Sequence, residues 1–400
     1  MPSDSDVRTA LPGSVPVLHR DGLPRTFSSQ LSGRRYNRMF TQRLTKPDGR
    51  PLLLYARDGP PDGRCAPAPP GAPPRPSSHL RWHPLRGEWV AYAGHRQHRT
   101  FLPPPEYNPL APSCDGSNPT EVPDGRWDIA VFENMFPTFA ATSHDPPALT
   151  VPTTEGHGVC EVVVFTQNAR ASLASLPLPQ IELLIDVWAD RYDELGRRSD
   201  VRYVFPFENR GKDAGVTLHH PHGQIYAYPF VPPLPARELA LQAAHLERHG
   251  RGLLEELVAA EVREGGRLIY GGSDVAAFLP VCARYAFEVW IAPHRPAPSF
   301  LALAPAERRD FAAALKTVLM KLDAVWQEPM PYVLVFHQAP TDGSAHPEAH
   351  LHAELYPSWR MRGRMKYLSG SELGAGVFTA DTLPEERAQE LQAMAVDIHG

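Results

Sequence analysis

"HPHGQIYAYP", residues 220–229, is answered further along the chain by "HLHAELYP", residues 350–357. Each stretch sets two histidines two positions apart at the head of an alternating run that ends in Tyr-Pro. Working outward from them, the same order of elements occurs twice. The first half runs "DIAVF" from Asp128, "EVVVFTQ" from Glu161, a long helical stretch, "YVFPFEN" from Tyr203, then the histidine run. The second runs "DVAAF" from Asp274, "EVWIAPH" from Glu288, a long helical stretch, "YVLVFHQ" from Tyr332, then its own histidine run. Both helical stretches carry apolar residues at the helical period: Ile181, Leu184, Ile185, Trp188, Tyr192 and Leu195 in one, Phe311, Leu315, Val318, Leu322 and Val325 in the other. A Leu-Pro or Ala-Pro step opens each, and proline suits a first helical turn because its missing N–H has no partner there in any case. The β runs alternate or are rich in β-branched and aromatic residues, which suits antiparallel sheets with one face under a helix. The sequence therefore predicts an α+β fold: a duplicated domain, antiparallel sheets covered by helices, and a pseudo-two-fold arrangement of the halves.

A chain of 400 residues, 42% of them hydrophobic, has ample material for such a core. No apolar run reaches the length of a membrane span, and "MPSDSDVRTALPGS" lacks the basic start and apolar middle of a secretory signal, so a cytoplasmic protein with no membrane partner is expected. A formal net charge of −5 with interspersed signs offers no extended basic face and excludes nucleic acid, while local arginine clusters suit a phosphorylated small molecule. The cysteines, Cys65, Cys114, Cys160 and Cys282, are too few and too scattered for a disulfide scaffold. Residues 1–38 are polar and aperiodic and read as a disordered tail; residues 57–78, "RDGPPDGRCAPAPPGAPPRPSS", read as a flexible proline-rich insertion. Between them "MFTQRLTKPDGRPLLLYARD" reads as two strands around a Pro-Asp-Gly turn, so the folded body is expected to begin near Met39. The two repeats are placed at residues 39–235 and 236–400.

On a strand, side chains at i and i+2 share a face, so His220, His222 and Gln224 are expected to form one polar row, with His219 and Pro221 on the other side. Three polar side chains on one face of an otherwise apolar strand call for a function. Imidazole is largely unprotonated near neutral pH and is a competent nucleophile toward phosphorus, provided one nitrogen is free and the other donates to a fixed acceptor such as a nearby carbonyl. Gly223 is read as leaving room for a bulky phosphate, and Gln224 as a donor to a phosphoryl oxygen that cannot itself shuttle protons. That chemistry favours passing a group on over hydrolysis.

The longer stretch "ENRGKDAGVTLHHPHGQIYA" closely resembles the active-site segment of galactose-1-phosphate uridylyltransferases, the nucleotide-transferring branch of the histidine-triad superfamily. The likeness extends from about Met39 onward and includes "HPLRGEWVAYAGHRQHR" (residues 83–99), "FENMFP" (132–137), "FHQAP" (336–340), "HLHAELYP" and "KYLSGSELGAGVF" (366–378). The resemblance implies paired histidine-triad-like domains that exchange UDP-glucose and galactose 1-phosphate for UDP-galactose and glucose 1-phosphate through a covalent uridylyl-histidine. It implies His222 as the nucleophile, Gln224 holding the transferred phosphoryl group, and Glu208, Asn209, Gly215 and Thr217 in the nucleotide-phosphate cradle. It further implies Asn134 at the uridine, Arg96 and Arg99 on phosphate charge, and Lys366, Gly370 and Glu372 at the hexose and its phosphate. Members of the family are homodimers whose sites draw on both subunits, and a homodimer is expected here.

The resemblance also implies metals. One zinc site of the family maps to Cys114, Ser117, Ala169 and His220, where two of the four positions carry no good ligand, which argues against a zinc there and for His220 held by hydrogen bonds. The other site maps to Glu238, His337, His352 and Glu354, a reasonable two-histidine, two-carboxylate shell for one structural zinc or iron. Two further readings compete with uridylyl transfer. One is a related nucleotidyltransferase or phosphorylase acting on adenine nucleotides, opposed by Asn134 and the Lys366–Glu372 segment. The other is a non-catalytic nucleotide-binding metalloprotein, opposed by the intact His222, Gly223 and Gln224.

Overall fold

The computed structural model describes residues 39–63, 77–98, 103, 107–113, 119–142 and 145–399; the expected tail, most of the expected insertion, Arg99 and Cys114 lie outside the described residues. Eleven strands build one continuous sheet. In chain order they are β1 (Phe40–Thr45), β2 (Pro51–Ala56), β3 (Ile129–Glu133), β4 (Val159–Val164), β5 (Tyr203–Arg210), β6 (His222–Tyr228), β7 (Leu268–Gly271), β8 (Val275–Phe278), β9 (Val289–Pro293), β10 (Tyr332–His337) and β11 (His352–Pro357). Their order across the sheet is β1-β2-β3-β4-β6-β5-β10-β11-β9-β8-β7, with every neighbouring pair antiparallel.

That order is the duplication drawn in hydrogen bonds. From the middle outward, β5, β6, β4 and β3 on one side answer β10, β11, β9 and β8 on the other, and the halves join where β5 pairs with β10, Phe207 opposite Val335. The two sheets expected from sequence are thus one. The register also corrects the alignment of the quoted runs by one residue: Gln224 pairs with Val162 but Glu354 pairs with Trp290, so Val162 answers Trp290.

Helices α1 (Leu178–Gly196) and α4 (Pro305–Val325) cover one face of the sheet. Proline lies within the first two positions of each, and in α4 a Glu307 oxygen accepts the Ala304 N–H at 2.6 Å, satisfying a donor that the first turn leaves open. The periodic residues read from sequence are the ones buried: Ile181, Leu184, Ile185 and Trp188 pack with Phe311, Leu315 and Val318 against Ile225, Leu334 and Ala353. Trp188 stands 4.5 Å from the ring of Phe336 and joins the halves.

The opposite face is covered piecemeal. Over the second half, α2 (Pro233–His249) and α3 (Leu253–Glu264) follow the first histidine strand, and Leu254 and Val258 of α3 pack on Ala276, Phe278 and Ala292. Over the first half, a small sheet of residues 79–83, 88–92 and 153–155 and the segment around Leu110 and Val122 cover the outer strands. The head of β6 is left accessible between them. No helix among the described residues is long and apolar enough to cross a membrane.

Candidate active site

β6 alternates: His222, Gln224, Tyr226 and Tyr228 are half-buried on one face, whereas Gly223, Ile225 and Ala227 are buried on the helix side. The Nδ1 of His222 donates to the carbonyl of His220 at 2.7 Å, so Nε2 keeps its lone pair. Burial holds this imidazole below the usual histidine range, which keeps it neutral at neutral pH. His222 and Gln224 line a cavity of about 130 Å³ with Asn134, Thr217, Phe132 and Arg96. His222 also borders a second cavity, of about 350 Å³, with Glu208, Asn209 and Arg170.

Two expectations about this strand are corrected. His220 precedes the strand, and its ring is buried instead of sharing a row with His222 and Gln224. Its Nε2 donates to the Thr166 carbonyl at 2.7 Å, and its Nδ1 accepts from Nδ2 of Asn108 at 2.9 Å, an amide oriented by the Leu110 N–H at its own oxygen. Both ring nitrogens are therefore engaged, and His220 does not fit a zinc site; its contribution to His222 runs through its carbonyl. Asn108 was missed by sequence reasoning, where "YNPL" signals only a turn. The second correction concerns Gly223. A Cβ there would point away from the cavity, 2.8 Å from Cζ of Phe165 and 2.9 Å from the Phe207 carbonyl oxygen. Packing beneath the strand, not room for a phosphate, demands the glycine.

The remaining expected residues divide. Asn134 accepts the Phe136 N–H on Oδ1 at 2.9 Å, leaving its amide NH₂ for the cavity, and Arg96 reaches the Phe136 carbonyl at 2.7 Å from the same wall. Glu208 is buried on β5, accepts a hydrogen bond from Tyr332 Oη at 2.9 Å, and is pushed up to about 7 by its burial. Gly215 has φ +80° and closes the short turn after Lys212, without lining either cavity. Lys366, Gly370 and Glu372 also line neither cavity of their own chain. Glu372 instead accepts hydrogen bonds from Ser369 and Thr379, which hold its carboxyl far below the ordinary range, while Lys366 donates to the Thr379 carbonyl at 2.6 Å.

In the second half, His337 and His352 face each other across β10 and β11 with rings 5.0 Å apart, and α2 supplies Glu238, whose Oε2 is 2.7 Å from His337 Nδ1. Donor atoms of Glu238, His337 and His352 all lie within 4.8 Å of one another. Glu354 stands back, 3.8 Å from the Nε2 of each histidine. His352 Nδ1 donates to the His350 carbonyl at 2.9 Å, which frees Nε2, and burial, with His337 beside it, pushes this ring down to about 4. Despite the close approach of Glu238, neither nitrogen of the buried His337 has a well-directed hydrogen bond. Orphaned buried nitrogens beside two carboxylates are costly without a cation, and this donor set fits a divalent metal.

Fold and site together define a histidine-triad-like protein doubled within one chain, with a neutral imidazole presented in one half and a metal-ligand cluster in the other. Family models described as galactose-1-phosphate uridyl transferase, N-terminal domain, and galactose-1-phosphate uridyl transferase, C-terminal domain, match residues 74–232 and 238–400. A galactose-1-phosphate uridylyltransferase of Thermotoga maritima is 34% identical over 326 residues, spanning 80% of this chain and 99% of the relative, and one of Streptomyces lividans is 36% identical over 340 residues, 81% and 88%. A solved uridylyltransferase structure superposes with a TM-score of 0.71 at 33% identity, covering 79% of this chain and 97% of its own. The chain belongs to the galactose-1-phosphate uridylyltransferase family and is an enzyme of the nucleotidyltransferase class. The N-terminal family model matches from residue 74, whereas the resemblance was read from about Met39 onward.

Proposed function

We propose that this enzyme transfers a uridylyl group between UDP-glucose and galactose 1-phosphate, giving UDP-galactose and glucose 1-phosphate, by a ping-pong route through a uridylyl-histidine at His222. The observation that carries the reading is the His222 ring: Nδ1–H held by the His220 carbonyl at 2.7 Å, leaving an unprotonated Nε2 at the cavity. In the first step the Nε2 lone pair forms a bond to the α-phosphorus as the bond to the bridging oxygen breaks, and glucose 1-phosphate departs with that electron pair. In the second, a phosphate oxygen of galactose 1-phosphate attacks the same phosphorus and the P–N bond breaks. The two leaving groups are nearly identical and depart as stable phosphates, so no strong acid is needed. Gln224 supplies a non-titrating donor to the phosphoryl oxygens in both directions.

In this reading Asn134 meets the uridine, Arg96 and Arg99 meet phosphate charge, and Glu208, Asn209, Gly215 and Thr217 shape the cradle. Lys366, Gly370 and Glu372 serve the hexose phosphate across a homodimer interface, which accords with their lining neither cavity of their own chain. Glu238, His337, His352 and Glu354 hold one zinc or iron that cross-links α2 to the centre of the sheet, a structural role. We assign the repeats to residues 39–235 and 236–400 and the activity to the cytoplasm. The test is intact mass after incubation with UDP-glucose alone, for the parent and His222→Ala. A uridylyl adduct on the parent and none on the variant is expected; a folded parent that binds UDP-glucose without forming the adduct refutes the covalent route.

A further inference from the structure

The hairpin of β1 and β2 precedes residue 74, where the N-terminal family model begins to match, and four-fifths of this chain already accounts for 99% of the Thermotoga relative. The hairpin is nonetheless built into the wall of the His222 cavity. Its turn, Lys46-Pro47-Asp48-Gly49-Arg50, closes with Lys46 N–H on the Arg50 carbonyl at 2.9 Å and uses the positive φ of Gly49, +87°. That tight closure delivers two cations into the interior side by side. Lys46 is 2% exposed; its Nζ donates to the Glu121 carbonyl at 3.1 Å, pairs with the Glu121 carboxylate, and sits 4.9 Å from the ring centre of Phe132. Arg50 spreads its fork across three elements: Nη2 to Glu121 Oε2 at 2.8 Å, Nη1 to the Glu133 carbonyl at 2.8 Å, and Nε to Asp48 at 2.9 Å.

Glu121, Phe132 and Asn134 all line the cavity that His222 and Gln224 border, and Glu133 carries Asn134 at the end of β3. One side of that cavity therefore takes its position from the hairpin turn. Buried ion pairs are poor sources of net stability, because desolvation offsets their attraction; what a planar, bidentate guanidinium supplies is fixed geometry.

We infer that the hairpin turn, residues 46–50, belongs to the nucleotide-binding machinery, with Lys46 and Arg50 as positioning residues that fix Glu121, Phe132 and the Glu133–Asn134 step at the cavity wall. The inference rests on the reading that a uridine nucleotide fills this cavity. A hairpin outside the family match thus serves the nucleotide half of the substrate, not the hexose half.

The experiment uses the full chain with Arg50→Lys, which keeps the charge and loses the fork, Arg50→Ala, and Arg43→Ala, which cuts an exposed ion pair of the same hairpin with Glu194 on α1. UDP affinity is measured by titration calorimetry, and kcat/KM separately for UDP-glucose and for galactose 1-phosphate. Arg50→Lys is expected to weaken UDP and lower kcat/KM for UDP-glucose by about tenfold, the scale of one or two charge-assisted hydrogen bonds. Galactose 1-phosphate attacks an enzyme whose uridine is already held covalently, so its kcat/KM changes less than about threefold. Arg43→Ala matches the parent. A folded Arg50→Lys with parental UDP affinity, or with equal losses in both half-reactions, overturns the inference; melting curves establish folding, and Arg50→Lys decides should Arg50→Ala not fold. A parent that binds UDP yet forms no uridylyl adduct refutes the transfer reading alone, and the calorimetry still decides the role of the hairpin.

Discussion

Replacing Gly223 by alanine separates two explanations of the glycine beside the nucleophile. The added methyl would sit 2.8 Å from Phe165 Cζ and 2.9 Å from the Phe207 carbonyl oxygen. The first contact is about 0.7 Å inside the ~3.5 Å at which carbon atoms pack best. The aromatic ring belongs to the fully buried core, and the carbonyl is backbone of β5, the strand paired with β6, so neither yields freely. Overpacking of this kind costs about 1–3 kcal/mol. Relief comes most directly by lifting β6, which carries His222 with it, and a nucleophile misplaced by as much as ~1 Å loses about 100-fold in rate. Gly223→Ala is therefore expected to melt a few degrees lower and to lose about 10- to 100-fold in kcat, with the KM for UDP-glucose within about twofold of the parent. The assay pairs thermal melting with initial rates in both substrates. An unchanged melting temperature with a raised KM would refute the argument, since it would mean that the glycine faces the bound phosphate after all.

Two further outcomes are expected. Burial pushes Glu208 up to about 7 from 4.5, against the lowering by Arg210, so between those values the folded state keeps a proton that the unfolded chain has lost. Stability from this group is then fullest below about pH 4.5 and falls as pH rises through about 7, by about 3 kcal/mol in all. Glu208→Gln, a permanent mimic of the protonated acid, should gain melting temperature relative to the parent on going from pH 5 to pH 8; an identical offset at both refutes the buried-acid reading. For the Glu238, His337, His352 and Glu354 cluster, metal analysis should find one divalent ion per chain, lost in His352→Ala. Chelation should lower the melting temperature by at least ~5 °C, since a ligand bound only to the native state adds its binding free energy to stability; a chelator-insensitive melt refutes a structural ion.

Much of the architecture was legible because it repeats. A periodicity of Ile181, Leu184, Ile185 and Trp188 needs only local chemistry to be read, and His-x-His-x-x-x-Tyr-Pro with its near copy disclosed the duplication before any contact was known. What was not legible depends on partners distant in sequence. The direction of Gly223 is set by the pleat, which begins at His222 and not two residues earlier, and the space beneath it by Phe165, just past the end of β4. The weight carried by Asn108 depends on a loop that meets His220 far along the chain. Lys366, Gly370 and Glu372 form a motif recognisable as a string, yet a string does not say which cavity it will meet. The hairpin at 40–56 was readable as a hairpin from Pro-Asp-Gly, but nothing local reveals that Lys46 and Arg50 turn inward to Glu121.

The register shows how the proposed nucleophile and the candidate metal cluster come to occupy matching places in the two repeats. Gln224 pairs with Phe207 and Glu354 with Val335, so Asn209 and His337, each two residues further on, occupy the same place in the two halves, as do His222 and His352. Both second histidines even share their tether, Nδ1 to the carbonyl two residues back, at 2.7 Å and 2.9 Å. The local device that frees Nε2 is therefore common to both and decides nothing between them. What differs is the company at the other two places. Asn209 and Gln224 are neutral amides with hydrogens to give, suited to phosphoryl oxygens; His337 and Glu354 bring lone pairs, which repel a phosphate and attract a cation. The cover differs in the same sense. α2 lays Glu238 over the second site and leaves a space of about 10 Å³ there, too small for a phosphate group, whereas the cavity at His222 keeps about 130 Å³. Putting glutamate at 224 alone would add a negative charge beside the incoming phosphate without completing a metal shell, so the halves differ by a set of changes that work only together.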